Sequence, residues 1–162
     1  MLAKILEDKD PKNDYSTIFK LVPDIYLFIK EKLNLENRRQ AKNLFFKMIY
    51  GKPFGKYHNA FAMIFPGAAQ IIKDIKTKKL PENPSKKIHS NLSMLSTRLE
   101  TKIFKKVWVT LYRHGIPLTE CYDEIIVPAR NMDDALVIMH DVISMELLGY
   151  NIQISIKREY SK

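Results

Sequence analysis

Apolar residues recur at intervals of three and four along most of the chain, and this spacing places them on one side of an α-helix. A short helix is expected at the start, before a polar loop at residues 8–14. Further helices are predicted near residues 17–21, 24–33, 35–50, 56–64, 67–77, 88–113 and 132–148. Strands are favoured at residues 118–122, 125–127 and 152–157, the last with isoleucine alternating with polar residues. Helices with a few short strands predict an α+β fold.

The order of these elements divides the chain into two parts. Residues 1–86 form a helical part that ends in a connector rich in lysine and proline, at residues 78–84. Residues 87–162 have the order α-β-β-α-β. This order suits helices packed on one face of a small antiparallel sheet.

The helix predicted to begin near Leu35, with Asn34 as its cap, separates apolar from basic side chains. Its apolar side consists of Ala41, Leu44, Phe45, Met48 and Ile49. Basic and aromatic residues occupy the other side: Arg38, Arg39, Lys42, Phe46 and Tyr50. Gly51 is expected to end the helix in the left-handed conformation.

The basic and aromatic side has two interpretations. Lysines and arginines at this spacing are usually a solvated helix face. That interpretation does not account for Phe46 and Tyr50, which share the side with the charges. Guanidinium and ammonium groups bind phosphates, and aromatic rings stack on a base or abut a sugar. The second interpretation is therefore a binding site for a nucleoside triphosphate.

Two adjacent acids, Asp123 and Glu124, lie in the tight connection between the strands predicted at residues 118–127. Two-residue turns favour glycine and asparagine, so this pair is a poor choice for the turn alone. One interpretation is an exposed turn without a function. The other is a metal site, because one or two carboxylates hold Mg²⁺ and two metals about 4 Å apart serve phosphoryl transfer.

The predicted helix also carries a resemblance to a known family. Six residues match all the fixed positions of motif B of the family A DNA polymerases, the bacterial DNA polymerase I family: Arg38, Arg39, Lys42, Phe46, Tyr50 and Gly51. In that family the helix lies in the fingers subdomain and closes over the nucleotide. The resemblance implies that Arg38 and Lys42 contact the triphosphate, with Phe46 at the sugar and Tyr50 near the templating base pair. It also implies DNA contacts for Arg39 and Gly51.

The acidic pair lies in a second similar segment. Tyr122-Asp123-Glu124 resembles motif C of the same family, which usually reads His-Asp-Glu. The resemblance implies that Asp123 is a catalytic metal ligand, that Glu124 is a supporting catalytic acid, and that the cofactor is Mg²⁺ in a two-metal site. Tyr122 stands where the family has the histidine of this motif, so the resemblance does not imply the contact that the histidine makes. On this basis residues 1–86 resemble the fingers and residues 87–162 the palm.

A third segment, residues 91–100, resembles a worn copy of the family's Asn-x-x-x-Gln-Gly-Thr-Ala-Ala-Asp. Leu95 and Ser96 replace the Gln-Gly pair, whose glutamine touches DNA in the minor groove. Asn91 keeps its place and is a candidate DNA-binding residue. Lys87 lies four residues earlier and has two interpretations. It binds a phosphate or a carboxylate, or it is an ordinary surface lysine.

Two-metal transfer needs a second aspartate, which motif A (Asp-Tyr-Ser-x-Ile-Glu) carries upstream of the fingers in this family. Asp14 opens a similar run, but Phe19 replaces the glutamate and Arg38 follows too soon. In the register that we favour, residues 2–8 follow motif A, and residues 24–26 match the Asp-Ile-His that precedes motif B. Asp14 is then part of a helix start, with Asp14 or Ser16 as the cap.

Composition narrows the partners and the compartment. The formal net charge of +9 suits a polyanionic partner. A single cysteine, Cys121, excludes an internal disulfide, and the four histidines lack the spacing of a zinc site. No apolar run reaches the roughly 18 residues of a membrane span, and the start lacks the features of a signal peptide. We expect a cytoplasmic, reducing compartment and no membrane partner.

Three functions follow as hypotheses. The first is the fingers and palm portion of a DNA polymerase, which binds DNA primer-template and a deoxynucleoside triphosphate. It is expected to be inactive or weak until an upstream fragment supplies motif A and the thumb. The second is a non-catalytic, nucleic-acid-binding relic of a polymerase that serves as an interaction module. The third is an unrelated basic α/β protein in which the motifs are coincidental.

Overall fold

A computed structural model describes residues 1–81, 83, 87–121, 124–147, 149–150 and 154–156. These residues form the helices α1 (Leu2–Glu7), α2 (Asp14–Leu21), α3 (Ile25–Lys32), α4 (Arg38–Tyr50), α5 (Lys56–Ile64), α6 (Pro66–Thr77), α7 (Asn91–Arg113) and α8 (Met132–Glu146). Two strands, β1 (Thr119–Cys121) and β2 (Glu124–Ile126), pair in antiparallel orientation. The described chain is mostly helical with a small antiparallel sheet, which confirms the predicted α+β class at this level.

The chain divides into two compact units, Met1–Leu99 and Glu100–Lys162. The boundary between them falls within α7, whereas the sequence placed it between residues 86 and 87.

The first unit is built around a cluster of aromatic rings. The ring of Tyr15 in α2 lies 5.1 Å from that of Phe65 and 5.7 Å from that of Phe61, measured between centroids. Phe45 of α4 lies 6.0 Å from Tyr15 with its ring nearly parallel. All four side chains are buried. Because large rings remove much apolar area from water, this cluster holds α2 and α4 against the junction of α5 and α6.

The second unit has its own core. Val107 and Leu111 of α7, Ile116 after that helix and Ala135 of α8 are buried together. Apolar residues of the hairpin and of α8 pack against them and are partly buried: Leu118, Ile125, Val127, Ile138, Met139, Val142 and Ile143. Ile125 of β2 and the residues that flank the two strands therefore pack on a core formed mainly by α7 and α8.

The start of α4 differs from the prediction. The helix begins at Arg38, and its cap is Asn37, whose side-chain oxygen accepts a hydrogen bond from the Gln40 N–H at 3.0 Å. Asn34 has a φ of +50°, a region that asparagine tolerates better than most residues, and the Leu35 N–H that follows it donates to the Lys30 carbonyl. The prediction of Asn34 as the cap was wrong because Asn34 takes part in ending α3.

Two further predictions about strands need correction. Cys121 pairs with Glu124, so Glu124 is the first residue of β2 and does not belong to the turn. The strand predicted at residues 152–157 is not formed at residues 154–156, where the backbone has no regular structure. Residues 152, 153 and 157 lie outside the described part of the chain.

Candidate nucleotide-binding site

The two sides of α4 differ in exposure as the sequence predicted. Ala41, Phe45, Met48 and Ile49 are buried, and Leu44 is half-buried. The opposite side exposes the basic and aromatic residues Arg38, Arg39, Lys42, Phe46 and Tyr50. Five candidate residues of motif B therefore share one solvent-facing side of a single helix.

Arg38 is held by α3. Its Nε donates to Oδ2 of Asp24 at 2.6 Å, and its guanidinium carbon lies 4.9 Å from the centroid of the Tyr26 ring. Oδ1 of Asp24 accepts hydrogen bonds from the N–H groups of Tyr26 and Leu27, so the same carboxylate caps α3. A planar guanidinium over a ring and beside a carboxylate has little freedom to turn. Arg38 is thus oriented before any ligand binds, and a phosphate would have to share it with Asp24.

The pKa values of these neighbours shift in opposite directions. Burial by itself would raise the pKa of Asp24, but the hydrogen bonds from Arg38, Leu27 and Tyr26 outweigh it and lower that pKa. Partial burial raises the pKa of Tyr26 against the opposing effect of Arg38, and Asp24 and Tyr50 add to the rise. At neutral pH the pair is therefore a carboxylate beside a phenol that keeps its proton.

Phe46 and Tyr50 form a parallel pair one helical turn apart. Their ring centroids are 5.9 Å apart and their planes differ by 4°. Phe46 is 38% exposed and Tyr50 is 57% exposed. Nζ of Lys42 lies 5.8 Å from the Phe46 centroid, at the end of the pair nearer to Arg38 along the helix. A flat ligand group with a negative charge suits two parallel rings beside an ammonium group.

The end of α4 differs from the sequence-based prediction. Gly51 has an extended backbone, with φ −80°, and does not adopt the left-handed conformation. A Cβ at this position would lie 2.3 Å from the Lys47 carbonyl oxygen, so a close approach between backbones requires glycine here. The Gly51 carbonyl accepts a hydrogen bond from Nζ of Lys76 at 2.8 Å, and that oxygen already has a partner within the chain.

The carboxylate of Asp14 caps the start of α6. Its Oδ2 accepts from the Gly67 N–H and its Oδ1 from the Ala68 N–H, both at 2.9 Å, which places the carboxylate on the first turn of α6. Both oxygens are thus bonded to backbone donors, and the side chain does not fit the role of a metal ligand. The cap of α2 is Asn13, which accepts from the Ser16 N–H, so the expectation of Asp14 or Ser16 as that cap was also wrong.

Asn91 is placed where it cannot reach DNA. Its side chain is 0% exposed, donates to the carbonyls of Ile75 and Lys78 at 2.8 and 2.7 Å, and accepts from Asn83. The prediction of a DNA contact is wrong for this position, because the side chain is buried and its polar atoms bond to the end of α6 and to the connector that follows it. Lys87 is exposed, in agreement with either of its interpretations.

Of the acidic pair, Glu124 is exposed at the start of β2, whereas Asp123 and Tyr122 lie outside the described residues. The described residues contain no group of three or more histidine, cysteine, aspartate or glutamate side chains placed to hold a metal ion.

Three residues near the site were given no role of their own from the sequence. Asp24 and Tyr26 were matched only as part of a motif, and their contacts with Arg38 emerge from the packing of α3 on α4. Lys76 is buried although its neighbours along the chain suggest a surface lysine. The sequence feature that could have indicated its burial is its position, four residues after Ile72 in the apolar stripe of α6.

In the part of the chain that is described, none of the helices combines the length and apolar character needed to cross a bilayer. No protein-family model, no curated protein and no solved structure matches the chain.

Proposed function

We propose that this chain is the fingers and palm portion of a family A DNA polymerase, which adds deoxynucleotides to a primer 3′ end on a DNA template. In this proposal α4 grips the incoming deoxynucleoside triphosphate. Arg38 and Lys42 bind its phosphates, Phe46 lies at the sugar and Tyr50 lies near the templating base pair. Arg39, Gly51 and Lys87 face the DNA.

The observation that carries the proposal is the exposed row on α4. Three cations are followed by two rings along one helix face, Phe46 and Tyr50 are stacked in parallel, and Lys42 lies next to the first ring. Ammonium and guanidinium groups bind phosphate oxygens, and aromatic faces accept a base or a sugar. The net charge of +9 supports a nucleic-acid partner as well.

The cofactor proposed is Mg²⁺, with Asp123 as a ligand and Glu124 as a supporting acid. When bound, the metal would stabilise the attacking and leaving oxygens of the transfer. Because the Asp14 carboxylate is bonded to the start of α6, the second aspartate would come from a motif A segment supplied, together with the thumb, by a partner.

The position of Asp14 also favours a second candidate function. With one metal-binding acid fewer than the chemistry needs, the chain would serve as a non-catalytic nucleic-acid-binding module that keeps the polymerase grip on a nucleotide or DNA. This candidate retains the role of α4 and drops the role of Asp123.

Nucleotide binding tests the role of α4. We expect dATP with Mg²⁺ to bind the chain in a calorimetric titration, and Lys42→Ala or Arg38→Ala to weaken binding about tenfold, the usual effect of losing one charge-assisted contact. Lys79→Ala is the matched control, because Lys79 is an exposed lysine that does not belong to α4. Equal affinity of all four proteins would contradict the proposed site.

Primer extension separates the two candidates. The polymerase proposal expects little extension by the chain alone and recovery when a fragment carrying motif A and the thumb of a family A enzyme is added. Asp123→Ala should abolish the recovered activity. DNA binding that is unchanged by Asp123→Ala, with no extension under any condition, favours the non-catalytic module.

A further inference from the structure

Lys76 is a buried lysine whose ammonium group lies at the end of the proposed nucleotide-binding helix. The residue is 1% exposed. Its Nζ donates to the Met48 carbonyl at 2.5 Å and to the Gly51 carbonyl at 2.8 Å. The last carbonyls of an α-helix have no partner within the helix, so this side chain, which comes from α6, supplies donors that α4 cannot provide itself.

Burying an ammonium group is costly unless hydrogen bonds and a favourable field compensate for the lost water. Burial lowers the pKa of Lys76 to about 8, so the amine still carries a proton at neutral pH. The carbonyl end of a helix bears a partial negative charge, which favours a cation. Lys76 lies in the apolar stripe of α6, next to Ile72 and Ile75, and its positive charge lies at the carbonyl end of α4.

The two accepting carbonyls lie on either side of Tyr50 in the sequence. Tyr50 is the last residue of α4 and is the more exposed ring of the stacked pair. A terminal helical turn without carbonyl partners tends to fray. With Lys76 bonded before and after it, the backbone of Tyr50 has much less freedom to leave the helical conformation, and its ring stays parallel to Phe46.

We propose that Lys76 is a positioning residue for the nucleotide site: its ammonium group holds the last turn of α4, and through it the Phe46–Tyr50 pair, in the conformation that receives the nucleotide. The effect on nucleotide binding rests on the function proposed above. The effect on the end of α4 does not.

The test compares three variants of the full chain. Lys76→Met keeps the length of the side chain and removes its donors, Lys76→Arg keeps a charge and donors, and Lys79→Met makes the same chemical change at an exposed lysine. Amide hydrogen exchange at Gly51, whose N–H donates to the Lys47 carbonyl, reports the end of the helix, and the Phe45 amide reports its middle. Calorimetric titration with dATP and Mg²⁺ reports the site.

We expect Lys76→Met to accelerate exchange at Gly51 about tenfold more than at Phe45 and to weaken dATP binding by a similar factor, as the loss of a charge-assisted bond would. Lys76→Arg should lie closer to the original protein, and Lys79→Met should equal it. Unchanged exchange at Gly51 in Lys76→Met would overturn the proposal, as would equal losses in the methionine and arginine variants. If the unsubstituted chain binds no dATP, the proposed function fails, and the exchange data still decide the role of Lys76 in α4.

Two spectroscopic signals extend the test, and the first needs only the unsubstituted protein, so it does not depend on a variant that folds. A buried, hydrogen-bonded ammonium group should give a slowly exchanging ¹H–¹⁵N signal, and its absence from the unsubstituted protein would contradict the proposal. The second signal is His58, whose pKa is lowered mainly by burial and further by Lys76 and Lys73. Lys76→Met should raise the pKa of His58 in an NMR titration, whereas Lys79→Met should not; an unchanged value in Lys76→Met would place the charge elsewhere.

Discussion

Phe46 and Tyr50 stack in parallel on the exposed side of α4, with 5.9 Å between ring centroids and 4° between ring planes. Residues four positions apart on a helix are neighbours, so their contact needs no support from another element. Phe46 also contacts the buried ring of Phe45, with 6.2 Å between centroids, whereas Tyr50 is the more exposed ring. Tyr50 is therefore the ring that can be altered with less effect on folding.

Removing a ring from this pair is expected to weaken nucleotide binding. Tyr50→Ala should lower the affinity for dATP about tenfold, since stacking on one aromatic side chain contributes roughly 1–3 kcal/mol. The thermal midpoint should change little. Tyr112→Ala is a matched control, because Tyr112 is an exposed tyrosine in α7. A loss of affinity in the Tyr112 variant equal to that in Tyr50→Ala would show that the effect is not local to α4.

The Asp24 carboxylate should make stability depend on pH in the acid range. Its pKa is lowered in the folded state, so its contribution is complete above the unfolded value of 3.8 and is lost as the pH falls through the folded pKa. Asp24→Asn keeps a capping oxygen for α3 and removes the charge. Its free energy of unfolding, measured by urea titration, should therefore fall less between pH 5 and pH 2 than that of the original protein.

The comparison with Asp24→Ala separates the cap from the charge. Loss of the cap should cost about 1 kcal/mol at pH 7, whereas the exposed ion pair with Arg38 contributes less than that. Equal stability of the alanine and asparagine variants at pH 7 would contradict the capping role.

Asp14→Ala is expected to reduce stability rather than metal binding. The substitution removes two hydrogen bonds to the first turn of α6 and should cost about 1–2 kcal/mol in chemical unfolding. Asp134→Ala removes an exposed aspartate in the first turn of α8 and should lower the free energy of unfolding by only a few tenths of a kcal/mol. A folded Asp14→Ala variant that binds dATP normally without Mg²⁺ but gains nothing from the metal would restore Asp14 as a ligand.

Asn91 and Lys87 should differ in their effects. Asn91→Ala leaves the carbonyls of Ile75 and Lys78 without a buried partner and should destabilise the protein by about 1–3 kcal/mol. Its affinity for DNA, measured by fluorescence anisotropy well below the unfolding temperature, should stay the same. Lys87→Ala should show the reverse if that lysine contacts a phosphate, with normal stability and weaker binding that depends on salt.

The sequence predicted the features of the site that depend on local periodicity. The exposed row from Arg38 to Tyr50 followed from the 3.6-residue repeat, and the same repeat located α5 and α6 closely. The cap of α4 was misplaced because Asn34 and Asn37 both suit a cap, and only the packing of α3 decides between them.

Features that depend on distant residues could not be predicted in this way. Asp14 bonds to residues 67 and 68, and Lys76 bonds to residues 48 and 51, so their roles arise from how the helices pack. A polar residue at such a position looks the same in the sequence whether it contacts a ligand or another helix. Asn91 illustrates this ambiguity, because a buried asparagine and a DNA-binding asparagine have the same residue type at the same place in the motif.

The close approach at Gly51 has a consequence for which side chains that position tolerates. A glycine that ends a helix in the left-handed region can often be replaced by asparagine, because asparagine accepts that backbone conformation. At Gly51 the backbone is extended and the obstacle is the Lys47 carbonyl oxygen. Asparagine should therefore be no better than alanine at this position. In a saturation library, every variant with a residue other than glycine at position 51 should show a similarly low stability.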